Sequence, residues 1–211
     1  PVMNPILSVK NVNYSYHTQD GETPALSNIS FDIMPGSFTC IVGPSGCGKS
    51  TLLSLISGLL APDEGEIYIK GSPAADSAMH IGYMLQKDSL FEWRSVYKNV
   101  LLGLETRKSC TPEKKKLVNQ MLDTYGLGNF KNVKPSQLSG GMRQRAALIR
   151  TLALEPDILL LDEPFSALDY QTRLEVSDDI YRILKEQDKT AILVTHDISE
   201  AIAMGDRVII L

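Results

Sequence analysis

The sequence predicts an α/β fold with a helical segment inserted between its strands, and three observations carry this prediction. The apolar runs DILLLD (157–162) and TAILVTH (190–196) suit strands that are buried on both faces of a parallel sheet. A helical stretch at 172–187 lies between them and completes a βαβ unit. Residues 96–154, by contrast, carry helix signals and no convincing strand signal. A mostly parallel sheet with a helical insert follows.

The remaining elements follow from periodicity and turn residues. Alternating apolar residues and short runs of β-formers predict strands at Leu7–Val12, Ile29–Ile33, 38–42, Gly65–Gly71, Ile81–Leu85 and 207–211. The stretch HTQDGETP (17–24) is predicted to be a turn-rich loop. Helical spacing of leucine and isoleucine predicts a helix in KSTLLSLISGLL (49–60).

Two helices of the insert are marked by their N-termini. Thr111 is an expected N-cap, followed by a proline at the first helical position and an acid in the first turn. We expect this helix to run to near Tyr125 and to end at Gly126. Ser139 is the expected cap of the next helix.

Composition narrows the class of protein. The net charge of −4 and pI near 5.4 argue against nucleic acid as the main partner, because nucleic-acid binders usually carry a basic face. The three cysteines (Cys40, Cys47 and Cys110) fit neither a zinc motif nor a disulfide framework, which favours a reducing compartment. The sequence has no apolar stretch near the ~20 residues that cross a bilayer and no signal peptide. Because the chain starts at Pro1 without methionine, we expect it to be trimmed or tagged.

The most informative local motif is Gly43-x-x-x-x-Gly48-Lys49-Ser50, which follows a predicted strand and opens a predicted helix. In such a phosphate loop, backbone N–H groups turn toward the β-phosphate and the helix N-terminus favours negative charge. We expect Lys49 to reach the β- and γ-phosphates, Ser50 to bind Mg²⁺ and Thr51 to contact the α-phosphate. The loop itself comprises Gly43, Pro44, Ser45, Gly46, Cys47 and Gly48.

Polar residues end two of the buried strands, at the sheet edge where open α/β folds bind ligands. Asp162 is the expected Mg²⁺ ligand, and Glu163 the expected base that polarises the attacking water. His196 could donate a hydrogen bond to the γ-phosphate.

A second anion cradle lies in the insert, at Ser139-Gly140-Gly141. One nucleotide site does not need two cradles at separate helix N-termini. A head-to-tail pair of chains would place each ATP between the Lys49 loop of one copy and the Ser139 turn of the other. The alternative is that Ser139 is only an N-cap.

Over essentially its whole length the chain resembles the ATP-binding cassette family, the ATPase subunits of ABC transporters. The most specific marker is Leu138-Ser139-Gly140-Gly141, placed shortly before the Asp162 strand. The resemblance implies a P-loop NTPase core with a mostly parallel sheet, an N-terminal antiparallel β subdomain and an inserted α-helical subdomain. It implies one ATPase domain, with the core and β subdomain at 1–86 and 155–211 and the helical subdomain at 87–154.

The resemblance also implies residue roles and cofactors. Tyr16 matches the aromatic residue that stacks on adenine, with Tyr14 as a possible substitute, and Gln86 matches the glutamine that approaches Mg²⁺. Asp169 ends the loop SALD, which crosses the dimer interface in the family. Glu163 and His196 match the general base and the switch histidine. An active ATPase that uses ATP and Mg²⁺ is therefore expected.

The signature variant LSGGMRQR, with Met142 in place of the usual glutamine, looks like importers of the nitrate, sulfonate and taurine type. So does the segment around Trp93, in which Glu92 replaces a proline. The expected partners are integral membrane permease subunits, a second copy of the chain or a paralogous ATPase, and a periplasmic or surface solute-binding protein, with no nucleic acid.

The expected location is the cytoplasmic face of the membrane. Phe91, Trp93 and Val96 are candidates for the permease surface, although Phe91 and Trp93 could instead be core. A stand-alone exporter ATPase and a soluble cassette ATPase outside transport remain as alternatives.

Overall fold

A computed structural model describes residues 4–18 and 21–211. These residues form two compact units. The first unit combines the chain up to Ile81 with Asp157–Asp162 and Leu184–Leu211, and the second combines Gly82–Pro156 with Glu163–Ile183.

The regular elements of the described residues follow one another along the chain, apart from short 3₁₀ turns. They are β1 (Leu7–Thr18), β2 (Gly21–Ile33), β3 (Phe38–Val42), α1 (Lys49–Ile56), β4 (Glu64–Ile69), β5 (Ser72–Pro73), β6 (Ile81–Met84), α2 (Val96–Thr106), α3 (Pro112–Thr124), α4 (Gly140–Leu152), β7 (Ile158–Asp162), α5 (Tyr170–Glu186), β8 (Thr190–Thr195), α6 (Ile198–Met204) and β9 (Arg207–Ile210).

The first unit contains an antiparallel sheet with the strand order β2-β1-β4-β5. Leu7 pairs with Ile33 on one side and with Ile69 on the other, so that three apolar side chains meet at one end of the sheet. All three are at most 1% exposed. Burial of this end of the sheet supplies the apolar free energy that holds the three strands together.

The first unit also contains parallel strands in the order β7-β8-β3-β9. Every residue of β3, β7 and β8 is buried, as expected for strands covered on both faces. The register pairs Val42 with Thr195 and Asp162 with Val194. The residues that follow these strands therefore emerge at one carboxyl edge of the sheet.

The second unit is helical. Ser95, Thr111 and Ser139 cap α2, α3 and α4, and each side chain accepts a hydrogen bond from the backbone N–H three residues later. Strand β6 begins at Ile81 in the first unit and continues into the second, whereas α5 begins in the second and ends in the first. No helix of the described ranges is both long and apolar enough to cross a membrane.

These elements confirm the predicted fold class: a mostly parallel sheet, an antiparallel N-terminal sheet and an inserted helical segment. The prediction of a loop at 17–24 was wrong, because β1 continues to Thr18 and β2 begins at Gly21; Gln19 and Asp20 of that predicted loop lie outside the described residues. The predicted helix at 49–60 ends early, because Gly58 adopts a φ of 75° just after Ile56.

Candidate nucleotide site

The phosphate loop connects β3 to α1 in the first unit. Its backbone requires glycine at Gly48, which has a φ of 98° and precedes the first helical residue. A Cβ atom at that position would lie 2.6 Å from the carbonyl oxygen of Ala25. Gly46 has a φ of 82° and open space around it. The loop can therefore present backbone N–H groups to an anion at the start of α1.

Lys49 is the buried cation of this loop. Its side chain is only 5% exposed, and its Nζ donates hydrogen bonds of 2.8 Å to the carbonyl oxygens of Gly43 and Pro44. Both acceptors are formally neutral, so a phosphate oxygen would be a stronger partner for the ammonium group. The side chain is thus held inside the loop that an incoming phosphate would enter.

Ser50 and Asp162 form the candidate metal position. The Ser50 Oγ donates to the Asp162 Oδ1 at 3.0 Å, across 112 residues of sequence. Neighbouring ligands of octahedral Mg²⁺, each at about 2.1 Å from the ion, lie about 3 Å apart. The spacing and the hard oxygen donors of this pair therefore fit Mg²⁺, which keeps several waters and takes few protein ligands.

An aromatic ring stands beside the start of α1. The Tyr16 hydroxyl and the Thr51 Oγ1 lie 2.8 Å apart in a hydrogen bond, and the Tyr16 ring is 43% exposed. Tyr14 meets that ring edge to face, with centroids 5.1 Å apart. Between the two candidates for base stacking, Tyr16 has the direct hydrogen bond to α1.

His196 follows directly on β8 and is exposed. Because Val42 pairs with Thr195, His196 and Gly43 leave neighbouring strands at the same edge of the sheet. Asp197, the next residue, caps α6 by accepting from the N–H groups of Ser199 and Glu200. The first unit therefore brings the loop, the Ser50–Asp162 pair and Tyr16 together, and places His196 at the same sheet edge.

Gln86 and Glu163 belong to the second unit, where a hydrogen-bond chain links them. The Gln86 Nε2 donates to the Ser166 Oγ at 3.2 Å, and that hydroxyl donates to the Glu163 backbone oxygen at 3.1 Å. Glu163 has a φ of 44°, a left-handed conformation that costs a residue with a Cβ of order 1 kcal/mol. Strain of this kind often accompanies functional residues.

The Ser139 turn opens α4. The Ser139 Oγ accepts from the Met142 N–H at 3.3 Å, which confirms the predicted cap, and Ser139 and Gly140 are both exposed. A Cβ at Gly141 would lie 2.7 Å from the Val176 Cγ2, and one at Gly140 would lie 2.9 Å from the Leu168 Cδ2. Both glycines thus have a packing role in addition to any contact with a phosphate.

Asp169 also has a local role. Its Oδ1 accepts from the Thr172 N–H at 3.0 Å at the start of α5. Hydrogen bonds from Thr172 and other donors of this helix start hold the pKa of the carboxyl below its ordinary value. The carboxylate is therefore fixed at the N-terminus of α5.

The sequence analysis did not single out one ion cluster of the second unit. The Arg143 Nε and Nη2 donate to the Asp88 carboxylate at 2.8 and 3.1 Å, and its Nη1 lies 2.7 Å from the Glu92 Oε1. Burial alone would raise the pKa of Asp88, but hydrogen bonds from Arg143 and the Leu90 N–H outweigh it and lower the pKa. No sequence signal links residues 55 positions apart, so the pair was not predicted.

The expected permease surface is only partly exposed. Trp93 is 70% exposed and Phe91 40% exposed, and their rings lie 5.4 Å apart. Val96 is 0% exposed at the first turn of α2, so its predicted place on the surface was wrong. Val96 lies on the apolar side of α2, which faces the core of the helical unit.

Comparisons with known proteins find relatives that match most of this chain. The sequence model of the ABC transporter family matches residues 26–166. An uncharacterized ABC transporter ATP-binding protein of Bacillus subtilis, YtlC, is 51% identical over 202 residues, covering 96% of this chain and 78% of that protein. The taurine import ATP-binding protein TauB of Roseobacter denitrificans is 40% identical, with 97% and 77% covered. The nitrate transport protein NasD of Klebsiella oxytoca is 37% identical, with 99% and 81% covered.

Solved structures are similar over nearly the whole chain. A dimeric post-hydrolysis state of the ATP-binding cassette MJ0796 with ADP and Pi has a TM-score of 0.83 and 35% identity, covering 97% of this chain and 94% of that one. The cassette CbiO1 of Clostridium perfringens, part of an ABC transporter complex, has a TM-score of 0.86 and 33% identity, with 98% and 84% covered.

Proposed function

Because the chain belongs to the ABC transporter family and is an ATP-binding ATPase, we propose that it energises an importer of small anionic or organic solutes. Relatives named for taurine import and nitrate transport, at 37–40% identity, support the importer assignment. The signature variant with Met142 and the segment around Trp93 point to the same group. The cargo would bind other subunits of the system.

The observation that carries the nucleotide role is the preassembled loop of the first unit, with Lys49 buried inside it and Ser50 paired with Asp162. Lys49 would neutralise charge on the β- and γ-phosphates, and Ser50 and Asp162 would hold the magnesium ion. Bound Mg²⁺ would supply electrostatic stabilisation of the phosphates. Tyr16 would stack on the base, and Thr51 would contact the α-phosphate.

The hydrolytic roles fall to residues that end or follow strands. Glu163 would accept the proton of the attacking water, His196 would donate to the γ-phosphate, and Gln86 would orient groups around the metal. Ser139, Gly140 and Gly141 would bind the γ-phosphate of a nucleotide held by a second copy of the chain. The dimeric neighbour with ADP and Pi supports such a two-copy arrangement.

We place the ATPase core and β subdomain at 1–86 and 155–211 and the helical subdomain at 87–154. The chain would sit at the cytoplasmic face of the membrane, bound to permease subunits that work with a periplasmic or surface solute-binding protein. A paralogous ATPase could replace the second copy, with Asp169 at the interface between the two.

The surface around Trp93 suits the permease. A cavity of about 560 Å³ there is lined by Trp93, Arg94, Ser95, Lys98, Asn132 and Lys134. Three of these side chains are cationic, and Arg94 lies 5.7 Å from the centre of the Trp93 ring. Arg94 already pairs with Glu105 and Lys134 already donates to the Trp93 backbone oxygen, so Lys98 is the cation that would meet a carboxylate of an apolar permease segment.

The test of the proposed function is Glu163→Gln, with Glu175→Gln as a control on an exposed acid of the same unit. We expect Glu163→Gln to lower turnover roughly 10²–10⁴-fold, a typical general-base effect, and to retain ATP binding. Light scattering with saturating MgATP should then detect a dimer. A strictly monomeric Glu163→Gln chain would contradict the two-copy site.

A second variant separates the two halves of that site. Ser139→Arg should leave ATP binding by the single chain unchanged, because the Lys49 loop is intact, and should abolish turnover by blocking the partner's γ-phosphate. Normal hydrolysis by Ser139→Arg would show that the Ser139 turn serves no partner nucleotide.

A further inference from the structure

Residues 85–95 contain no helix or strand, yet they connect Gln86 to the exposed Trp93. Two arginines of α4 hold this connection. The Arg150 Nη1 and Nη2 donate to the backbone oxygens of Ser89 and Asp88 at 2.8 and 2.7 Å, and Arg143 binds the Asp88 carboxylate. The two arginines are seven residues apart, two helical turns, so they project from the same face of α4.

Arg143 divides its guanidinium group between two carboxylates. Its Nε and Nη2 face Asp88, and its Nη1 faces Glu92. This fork requires the planar geometry of arginine, since a lysine ammonium is a single point charge. The hydrogen bonds that Arg143 donates to Asp88 raise the pKa of Arg143, with Glu92 adding to the effect, so the guanidinium group stays charged at neutral pH.

The bridge lies next to two candidate nucleotide contacts. The Arg143 backbone N–H donates to the Ser139 backbone oxygen at 2.9 Å, within the first turn of α4. Asp88 is two residues from Gln86 along the chain. Arg143 is therefore linked to the Ser139 turn by a backbone hydrogen bond within α4, and to Gln86 through Asp88 and the single residue between them.

The same bridge reaches the surface. The Glu92 side chain is exposed over about half of its area and precedes Trp93. A proline, which the resemblance places at this position, has no carboxylate for such a contact. Glu92 thus gives this chain a charged link from the surface segment to the first turn of α4.

We infer that Arg143 is a positioning residue: by bridging Asp88 and Glu92 it couples the Ser139 turn and Gln86 to the surface around Trp93. Glu92 is the outer arm of this bridge. The inference rests on the proposed two-copy site and adds to it the path by which partner contact and nucleotide state influence one another.

The chain provides its own reporter, because Trp93 is its only tryptophan. In the Glu163→Gln background, MgATP should form the dimer and change the Trp93 emission. With Arg143→Lys added, we expect the dimer dissociation constant to rise about tenfold and the emission change to fall at least about threefold, since lysine cannot hold both carboxylates. ATP binding by the single chain should stay within about twofold of the parent.

Glu92→Gln tests the outer arm. Glu92 is exposed, so we expect this substitution to leave the fold intact. It should reduce the emission change at least about twofold while leaving the dimer dissociation constant within about twofold of the parent. Arg182→Lys is the matched control, because Arg182 forms an exposed ion pair with Asp179 elsewhere in the same unit. It should leave every readout unchanged.

The outcomes separate the two proposals. Parental dimerisation and emission in Arg143→Lys would overturn this inference but not the two-copy site. A loss of ATP affinity in the single chain as large as the loss of dimer affinity would have the same consequence. A dimer that forms without any emission change, or a parental response in Glu92→Gln, would overturn the outer arm. Failure of the Glu163→Gln parent to dimerise would overturn the two-copy site, and this inference with it.

Discussion

The Ser50 hydroxyl lies 3.0 Å from the Asp162 carboxylate, although 112 residues separate them in sequence. One residue stands in the first turn of α1, and the other ends β7. The two oxygens have the spacing of neighbouring magnesium ligands, so the proposed Mg²⁺ site would need little rearrangement on binding. Preorganisation of this kind lowers the free-energy cost of assembling the site.

The Ser50 hydroxyl should determine the magnesium requirement. We expect Ser50→Ala to raise the Mg²⁺ concentration for half-maximal turnover about tenfold, roughly the effect of one lost hydrogen bond or ligand. Ser50→Thr keeps the hydroxyl and should stay close to the parent. Turnover titrated with free Mg²⁺ at saturating ATP measures the effect; equal requirements in Ser50→Ala and the parent would contradict the assignment.

The buried ammonium group of Lys49 should contribute to nucleotide binding itself. Lys49→Ala should weaken ATP binding about 10–100-fold, the range for a lost hydrogen bond to a charged group. Calorimetric titration of ATP measures the dissociation constant. Lys70→Ala is the control, since Lys70 pairs with Asp157 on another surface of the same unit. Equal ATP affinities in Lys49→Ala and the control would refute the role.

The contact between Gly141 and Val176 should limit substitution in the Ser139 turn. Gly141→Ala places a Cβ 2.7 Å from the Val176 Cγ2, and we expect a loss of about 1–3 kcal/mol in unfolding free energy from overpacking. Adding Val176→Ala makes room for this methyl group, so the double variant should lose less than the two single losses combined. Urea denaturation measures all three. Strict additivity would show that the two sites do not interact.

Stability should depend on pH through Asp206. Hydrogen bonds from the Lys185 ammonium and the Phe38 N–H, each 2.8 Å long, lower the pKa of this carboxyl in the folded chain. Its stabilising effect is therefore full above the unfolded pKa near 4 and is lost as the pH falls through the lower folded pKa.

Asp206→Asn should cost about 1 kcal/mol or less at pH 7, because solvent screens the partly exposed pair, and the difference from the parent should shrink below pH ~4. Urea denaturation at several pH values measures it. A difference that persists unchanged at pH 2.5 would contradict the assignment. Asp178→Asn, at an exposed position of α5, is a suitable comparison.

Much of the fold could be predicted because its central strands carry strong apolar runs. The predicted strand at 38–42 and those at 157–162 and 190–196 match β3, β7 and β8 within one residue. Two of the antiparallel strands, β1 and β2, were predicted too short. Their outer halves are mostly exposed and polar, and irregular register between Val9 and Ser15 breaks the alternation on which the prediction depended.

The candidate site was predictable where the chemistry lies in contiguous motifs, as in the Lys49 loop and the Ser139 turn. The Arg143 bridge was not, because an ion pair between distant residues leaves no periodic or local pattern in one sequence. Val96 was placed wrongly for a related reason. A short apolar stretch does not reveal which side chains face the core until the helix that carries them is known.

Glu163 is held with a φ of 44°, where glycine would sit more easily. The proposed base requires a carboxylate at this position, whereas the backbone conformation favours glycine. Glycine would relax this backbone conformation but would remove the carboxylate that is proposed as the base, so Glu163→Gly would exchange the proposed chemistry for conformational ease.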